Sequence, residues 1–318
     1  VGMFNAALMA SCFILLLGFA DDVLDLPWRY KLVLPAIASL PLLATYTGPT
    51  TVLIPSPLRQ LLMSTSHAGS GTNELTVLGS LVNVFATVDE NAHGAIVDLG
   101  YFFLLYMCLL AVFCTNTINI YAGVNGLESG QTVVIACAVL FTNLLEVSRA
   151  ETPYQHPHFF SLCLIVPFLG ATLPLMYKNW CPSQLFVGDT FCMVLAVAAI
   201  LGHYSKTLLL LLVPQIFNFL YSTPQLFKLY PCPRHRLPWF NEEDGLLHPS
   251  TFEVKKVVNG ETVMVRRANM TLINLVLQVF GPMKEGTLTT VLLLIQALSC
   301  TLGILIRYYF ADLIFGTH

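Results

Sequence analysis

GMFNAALMASCFILLLGFA, residues 2–20, is an almost entirely apolar run that ends directly at Asp21, Asp22 and Asp25. Its length approaches the roughly 20 apolar residues that a helix needs to cross a bilayer. The whole chain has the same character, because 56% of its 318 residues are hydrophobic and only 10% are charged. Soluble domains carry about 25% charged residues. A bilayer is therefore the expected solvent, and the formal net charge of −3 argues against a nucleic-acid partner.

The same criterion predicts about eight spanning helices in this chain, so the expected fold class is an all-α polytopic membrane protein. The predicted spans are residues 2–20, 32–47, 98–115, 131–147, 159–177, 187–203, 207–226 and 287–310. This divides the chain into a helical core at 1–226, a loop at 227–286, and a final helix with its tail at 287–318. No internal repeat is visible, which disfavours a repeat-built transporter. The chain opens with Val1 inside an apolar run, so we expect further sequence ahead of it.

Basic residues are distributed unevenly between the two membrane faces that these spans define. One face, formed by loops 21–31, 116–130, 178–186 and 227–286, carries Arg29, Lys31, Lys178, Lys228, Arg234, Arg236, Lys255, Lys256, Arg266, Arg267 and Lys284. The other face carries Arg59, Arg149, Lys206 and Arg307. Because cytosolic loops are enriched in Lys and Arg, we predict that the first face is cytosolic.

The two long loops differ in composition. Loop 48–97 is polar and rich in Thr, Ser and Gly, and we interpret it as a mobile exterior loop. Loop 227–286 contains the alternating stretch 262–265, and Asn259-Gly260 is a favourable pair for a type I′ turn. We therefore expect a small ordered cytosolic appendage, containing a hairpin, before the final helix.

Four polar motifs lie on the predicted cytosolic face. The first is the cluster of Asp21, Asp22 and Asp25, followed by Trp28 and Lys31. Carboxylates at a membrane edge are costly, and adjacent ones repel unless a cation or a shared proton lies between them. Mg²⁺ takes oxygen ligands, often one or two carboxylates together with substrate phosphates. A solvated helix end is the alternative, but aspartates at a helix C-terminus oppose the helix dipole.

The other three motifs are individually modest. Residues 116–128, NTINIYAGVNGLE, place two amides on one helix face before a glycine turn that lets backbone approach a ligand, although an ordinary helix end is the alternative. Asp189 is either a functional acid or a helix N-cap. Arg234, His235 and Arg236 supply guanidinium forks that suit phosphate, although topology alone also explains basic residues. Because the four motifs share one membrane face, they can converge on one ligand.

Together, FADDVLD at 19–25, NTINIYAGVNGLE at 116–128, FVGDTF at 186–191 and PCPRHR at 231–236 resemble the polyprenyl-phosphate N-acetylhexosamine-1-phosphate transferases. Pro-Arg-His-Arg at 233–236 and NMTLINL at 269–275 are similar to the eukaryotic branch. The resemblance covers nearly the whole chain except loop 48–97, which looks expanded. It implies about ten spans in the family, two of them ahead of the Asp21-Asp22 pair. Asp25 departs from the asparagine expected in the eukaryotic branch.

The resemblance also implies an activity, which is transfer of N-acetylglucosamine-1-phosphate from UDP-GlcNAc to dolichyl phosphate, a membrane lipid, with Mg²⁺ as cofactor. It implies that Asn119 and Asp189 hold Mg²⁺, that Lys31 contacts a phosphate, and that Asp21 and Asp22 organise the site or assist the acceptor. The substrate-binding residues that it implies are Arg234, His235 and Arg236 for the diphosphate and sugar, Asp25 and Trp28 nearby, and Gly123, Asn125 and Phe186 for the uridine. It further implies a multi-pass protein of the endoplasmic reticulum membrane, with its active site on the cytosolic face. The sequence does not reveal the oligomeric state, and a homodimer is compatible with it.

Three alternatives are open to the sequence alone. A nucleotide-sugar transporter would also be polytopic and bind UDP-GlcNAc, but its polar residues should lie near the middle of the bilayer rather than at one edge. A bacterial-type enzyme acting on undecaprenyl phosphate is disfavoured by the Arg-His-Arg stretch. A catalytically inactive lipid-binding homologue is disfavoured by the intact motifs.

Overall fold

The computed structural model describes residues 2–24, 26–54, 59, 62–65, 73–89, 96–152, 156–188, 204–233, 236–258 and 261–310. The helices are α1 (Gly2–Leu24), α2 (Trp28–Ala44), α3 (Val77–Val82), α4 (Tyr101–Ile120), α5 (Leu127–Arg149), α6 (Pro157–Asn179), α7 (Ser205–Leu211), α8 (Val213–Leu226), α9 (Leu272–Phe280) and α10 (Glu285–Leu305), continued by a π-helical turn at Ile306–Phe310. The strands are β1 (Thr51–Leu53), β2 (Met63–Thr65), β3 (Asn73–Leu75), β4 (Thr87–Asp89), β5 (Ile96–Asp98), β6 (Trp239–Asn241), β7 (Leu246–His248), β8 (Thr251–Val258) and β9 (Glu261–Ala268).

Five of these helices are long and apolar enough to cross a membrane, namely α1, α4, α5, α6 and α10 with its π-helical turn. They agree with the spans predicted at 2–20, 98–115, 131–147, 159–177 and 287–310. The span predicted at 32–47 corresponds to α2, which has 17 residues and contains Pro35 and Pro41. The span predicted at 187–203 lies almost entirely outside the described residues. Leu16 and Phe19 of α1 are exposed at the helix surface, as expected where lipid is the solvent.

The span predicted at 207–226 is interrupted, because α7 and α8 are bent by 70° at Leu212. Pro214 lies in the first turn of α8 and has no N–H to donate to the preceding turn. Next to the break, the Leu211 carbonyl accepts a hydrogen bond from the Gln296 side chain of α10 at 2.8 Å. A neighbouring helix therefore supplies a donor where the helix is interrupted, as is usual for broken membrane helices.

Three glutamines connect helices in the interior of the bundle. Gln215 of α8 donates its Nε2 hydrogens to Oε1 of Gln131 on α5 and to Oε1 of Gln296 on α10, each at 2.7 Å. Gln131 in turn donates to the Tyr121 carbonyl at 2.9 Å. All three side chains are buried. Because polar groups in an apolar interior need partners, this chain of amides holds α5, α8 and α10 together.

The strands lie in the two long loops, so the all-α prediction holds only for the bundle. Within 48–97, β1, β5 and β4 form an antiparallel sheet and β2 pairs with β3. The described part of that loop therefore consists of short paired strands and helix α3, while its mobility and its exterior location stay predictions. Strands β8 and β9 pair in register from Thr251↔Ala268 to Val258↔Glu261, which confirms the predicted hairpin. Its predicted turn residues, 259 and 260, lie outside the described residues.

Among the described residues, two hydrophobic cores organise the helices, and a separate third cluster lies within loop 48–97. The larger core lies between the spanning helices and includes Ile14, Leu42, Met107, Ile135 and Leu208. The smaller core joins α9 and α10 to the turn between α4 and α5, and it includes Tyr121, Leu127, Leu272, Leu277 and Leu292. The smaller core fixes loop 227–286 against the end of the bundle where α4 ends and α5 begins.

Candidate active site

The end of α1 and the start of α2 form the first wall of the site. Asp21 is buried, and its Oδ2 lies 2.7 Å from Nζ of Lys31. Asp21 Oδ1 also accepts the Leu26 N–H at 3.1 Å, which fixes the carboxylate against the connection between the helices. The Lys31 side chain is 32% exposed. The ion pair therefore holds the lysine in place while part of its side chain is open to an anion.

The end of α4 forms the second wall. Asn116 donates its Nδ2 to the Lys31 carbonyl at 3.1 Å. A small cleft is lined by Asn116, Asn119, Asp21, Lys31 and Thr115, among others. The two amides lie three residues apart, and they share the helix face that the sequence predicted. The first two polar motifs therefore meet at one end of the bundle.

Asp22 connects the first motif to the third. A Cβ built on Gly188 would lie 2.5 Å from Asp22 Oδ2, so the carboxylate packs directly on the glycine. Gly188 directly precedes Asp189 in the sequence. Asp189 itself lies outside the described residues, as do Asp25, Arg234 and His235. Of Trp28, only the backbone is described.

A second cleft, with a volume of about 230 Å³, joins Asn119 to Arg236 and is completed by Ile120, Ala122, Leu237, Thr271 and Ile273. Arg236 Nη1 is buried and has no hydrogen-bond partner among the described residues. Burial lowers the pKa of the Arg236 guanidinium. A buried N–H group without an acceptor is costly, and an anionic ligand in the cleft would supply that acceptor.

The turn between α4 and α5 is held from two sides. Gly123 has a φ of 120°, and the Leu237 side chain occupies the space where a Cβ would lie. The residue that follows Arg236 therefore packs closely against the Gly123 backbone, and the predicted approach of this turn to a ligand stays a prediction. The Asn125 N–H donates to Glu285 Oε1 at 2.9 Å, and Thr289 Oγ1 donates to the Asn125 carbonyl at 2.9 Å. These contacts fix the turn to the start of α10.

The segment after α6 is positioned by Asn179, which the sequence analysis did not single out. Asn179 Oδ1 accepts the Gly126 N–H at 3.0 Å, and its Nδ2 donates to the Leu185 carbonyl at 2.9 Å. Phe186, which the resemblance implies for uridine binding, is 88% exposed. The position of Asn179 and Glu285 in the sequence could have identified them, since each is a polar residue at the end of a long apolar helix.

The chain belongs to glycosyl transferase family 4, whose sequence profile matches residues 4–205. More particularly, it is 44% identical to the UDP-N-acetylglucosamine–dolichyl-phosphate N-acetylglucosaminephosphotransferase of Dictyostelium discoideum, over 96% of this chain and 69% of that protein. It is 43% identical to the protein of the same name from Saccharomyces cerevisiae, over 95% of this chain and 67% of that protein. A more distant relative is the phospho-N-acetylmuramoyl-pentapeptide-transferase of Corynebacterium jeikeium, 31% identical over 69% of this chain and 63% of that protein. The resemblance drawn from the four motifs is confirmed.

Proposed function

We propose that this protein transfers N-acetylglucosamine-1-phosphate from UDP-GlcNAc to dolichyl phosphate, giving GlcNAc-diphosphodolichol and UMP. The observation that carries the proposal is the convergence of Asp21, Asp22, Lys31, Asn119 and Arg236 at one end of an apolar bundle. Relatives at 44% and 43% identity carry names that specify both substrates. The transporter alternative is disfavoured because these polar groups lie at one end of the bundle rather than near its middle.

The reaction requires positioning more than it requires a base. The second pKa of a phosphate monoester is about 6, so the acceptor is mostly a dianion at neutral pH. One of its oxygens attacks the sugar-bearing phosphorus of UDP-GlcNAc, a new P–O bond forms, and the bond to the UMP oxygen breaks. The main obstacle is repulsion between anionic groups, which fixed cations and hydrogen-bond donors reduce.

The residues divide between the two substrates. Lys31 contacts the acceptor phosphate, and Asp21 orients its ammonium through the 2.7 Å ion pair. Arg236 contacts the donor diphosphate or sugar from the second cleft, where its buried Nη1 needs an acceptor. By resemblance, Arg234 and His235 act beside Arg236. The uridine binds near the turn that contains Gly123 and Asn125, with Phe186 beside it. By resemblance, Asp25 and Trp28 also take part in substrate binding.

The oxygen ligands that the resemblance implies are of a chemical type that suits Mg²⁺. Asn119 lines both clefts, and the Asp22 carboxylate adjoins Gly188, directly before Asp189. Amide and carboxylate oxygens are hard ligands of the kind that Mg²⁺ prefers, and the ion commonly completes its shell with substrate phosphates. Asn119 and Asp189 would hold the ion, which when bound would neutralise charge on the donor diphosphate.

An apolar groove offers a path for the acceptor's lipid tail. It lies between α1 and α2, has a volume of about 290 Å³, and is lined by Phe13, Leu16, Leu34 and Ile37, among others. Leu17 lines both this groove and the cleft of Asp21 and Lys31, so a phosphate at Lys31 can continue into a chain within the groove. An endoplasmic reticulum location, a cytosolic active site and a homodimer stay predictions.

The proposal is tested by supplying the full-length protein with tritiated UDP-GlcNAc, dolichyl phosphate and Mg²⁺. We expect a labelled lipid product and stoichiometric UMP. Undecaprenyl phosphate is the matched acceptor control, and a preference for it would favour the bacterial-type alternative. Labelled UDP-GlcNAc accumulating inside reconstituted vesicles, with no lipid product, would refute the proposal in favour of a transporter.

A further inference from the structure

The stretch NMTLINL, residues 269–275, has no task in the proposed chemistry. It leads into α9, and two of its polar side chains, Asn269 and Asn274, are buried. Asn274 is 0% exposed. Because buried amides are nearly always hydrogen-bonded, the partners of these two residues show which parts of the loop they hold.

Asn274 holds the backbone of Arg236. Its Nδ2 donates to the Arg236 carbonyl at 2.8 Å and to Thr271 Oγ1 at 2.8 Å. Its Oδ1 accepts the Ser250 N–H at 2.9 Å. Ser250 Oγ gives the Arg236 carbonyl a second donor at 3.1 Å. Two side chains that are distant in sequence thus fix the backbone of the cationic residue in the donor cleft.

Asn269 fixes the same assembly to the bundle. Its N–H donates to the Ser250 carbonyl at 2.8 Å, and its Nδ2 donates to Ser250 Oγ at 2.9 Å. Its Oδ1 accepts from Gln225 of α8 at 2.9 Å, and Gln225 Oε1 accepts the Met270 N–H at 2.7 Å. The residues that hold Arg236 are therefore tied to a helix of the bundle.

A second connection runs from the same stretch to the end of α4. Asn218 of α8 accepts the Leu272 N–H at 2.8 Å and donates to the Ile120 carbonyl at 3.2 Å. Ile120 follows Asn119, the residue on the opposite side of the donor cleft. Asn218 thus links the stretch that holds Arg236 to the end of α4 that carries Asn119.

We propose that Asn274 is a positioning residue for donor binding, which holds the Arg236 backbone so that the guanidinium faces the donor diphosphate. The inference rests on the proposed contact between Arg236 and the donor. A bidentate guanidinium–phosphate contact depends on direction, so a loose backbone weakens it even when the charge is unchanged. Asn274 itself does not touch the substrate; it acts through Arg236.

The test compares Asn274→Ala with wild type in the full-length protein. We expect the KM for UDP-GlcNAc to rise roughly tenfold, as for a lost hydrogen bond of ordinary strength, with the KM for dolichyl phosphate unchanged. Ser250→Ala removes the second donor to the Arg236 carbonyl, together with the acceptor of the Asn269 Nδ2 hydrogen bond, but keeps the Asn274 bond to that carbonyl, and it should raise the donor KM by a smaller factor. Asn143→Ala is the control, because Asn143 is an equally buried amide that bonds Ser161 and His158 at the opposite end of the bundle. It should lower Tm without changing the donor KM.

A double-mutant cycle with Arg236→Lys separates positioning from a general structural effect. If Asn274 acts through Arg236, adding Asn274→Ala to Arg236→Lys should change the donor KM by less than about twofold. An equal effect in both backgrounds would overturn the inference. The inference would also be overturned if the KM for UDP-GlcNAc were normal in Asn274→Ala but raised in Arg236→Lys, and that result would leave the proposed function intact. Normal values in both variants would instead refute the donor contact of Arg236. If Asn274→Ala does not fold, an unchanged donor KM in Ser250→Ala overturns the inference.

Discussion

Replacing Gly188 with alanine should slow turnover by displacing the Asp22 carboxylate. The new Cβ would lie 2.5 Å from Asp22 Oδ2 and 3.0 Å from Asp22 Cγ. Ordinary van der Waals contact begins at 3.4 Å, so the oxygen must retreat by about 0.9 Å, the difference between 3.4 and 2.5 Å. Gly188 is not among the residues with positive φ, so alanine causes no backbone strain there. The substitution therefore tests the position of one carboxylate.

The expected magnitude follows from that displacement. Misplacing a reacting or orienting group by 1 Å can cost about 10²-fold in rate. Asp22 lies in the final turn of α1 and can relieve part of the clash by rotating its side chain. We therefore expect kcat to fall by roughly 10- to 100-fold, or about 1.4–2.7 kcal/mol. The apparent Mg²⁺ requirement should rise as well if Asp22 lies beside the ion.

The assay is initial-rate transfer to dolichyl phosphate at saturating substrates, together with a thermal melt of each purified variant. Gly286→Ala is the matched control, because the nearest atom to its Cβ would be Cys181 Cβ at 4.0 Å. Gly286 lies in the first turn of α10, where alanine is the better helix former. A wild-type kcat in Gly188→Ala, or equal losses in both variants, would refute the reasoning.

Three further predictions concern the metal, the topology and the donor. Asp189→Asn should abolish turnover with folding intact, and retention of more than about a tenth of kcat, a loss below ~1.4 kcal/mol, would contradict the metal assignment. Asn269-Met270-Thr271 is a glycosylation sequon that should be unmodified, because Asn269 is buried and predicted to be cytosolic; a glycan found there by peptide mass spectrometry would reverse the orientation. Arg236→Lys should lower kcat/KM for UDP-GlcNAc by one to two powers of ten, since a charge-assisted hydrogen bond contributes about 1.5–3 kcal/mol. Arg266→Lys, on an exposed side chain in the same loop, should be nearly neutral, and equal losses in the two variants would mean that the basic residues serve topology alone.

Local features of the sequence predicted most of the bundle and part of the site. Hydropathy located α1, α4, α5, α6 and α10 to within several residues. A membrane-spanning helix is apolar along its own length, so the sequence of that one segment is sufficient to identify it. Helical spacing also placed Asn116 and Asn119 on one face. The break between α7 and α8 was missed, since 207–226 was predicted as one continuous span from its hydropathy. The strands β1, β4 and β5 have three residues each, which is too short to show alternation.

The contacts that fix the site depend on tertiary structure and could not be predicted from local pattern. Asn274 meets the carbonyl of Arg236, which lies 38 residues earlier. Glu285 meets the N–H of Asn125, which lies 160 residues earlier. The sequence shows only that an amide or a carboxylate in a loop needs a hydrogen-bond partner. Which partner it finds depends on how α8, α9 and α10 pack, and that packing involves the whole bundle.

The hydrogen bonds between the interior glutamines have a fixed direction from donor to acceptor, which contacts between apolar side chains lack. Gln131 and Gln296 direct their N–H groups to the carbonyls of Tyr121 and Leu211, so each presents only oxygen to Gln215. Gln215 meets both oxygens with the two hydrogens of a single nitrogen. If α8 rotated or shifted by one turn, two oxygens would lose their hydrogens inside hydrocarbon. Helix surfaces lined by leucine can pack in many alignments of similar energy. The Gln215 amide, in contrast, can donate to both glutamine oxygens in only one alignment, so it fixes the register of three helices.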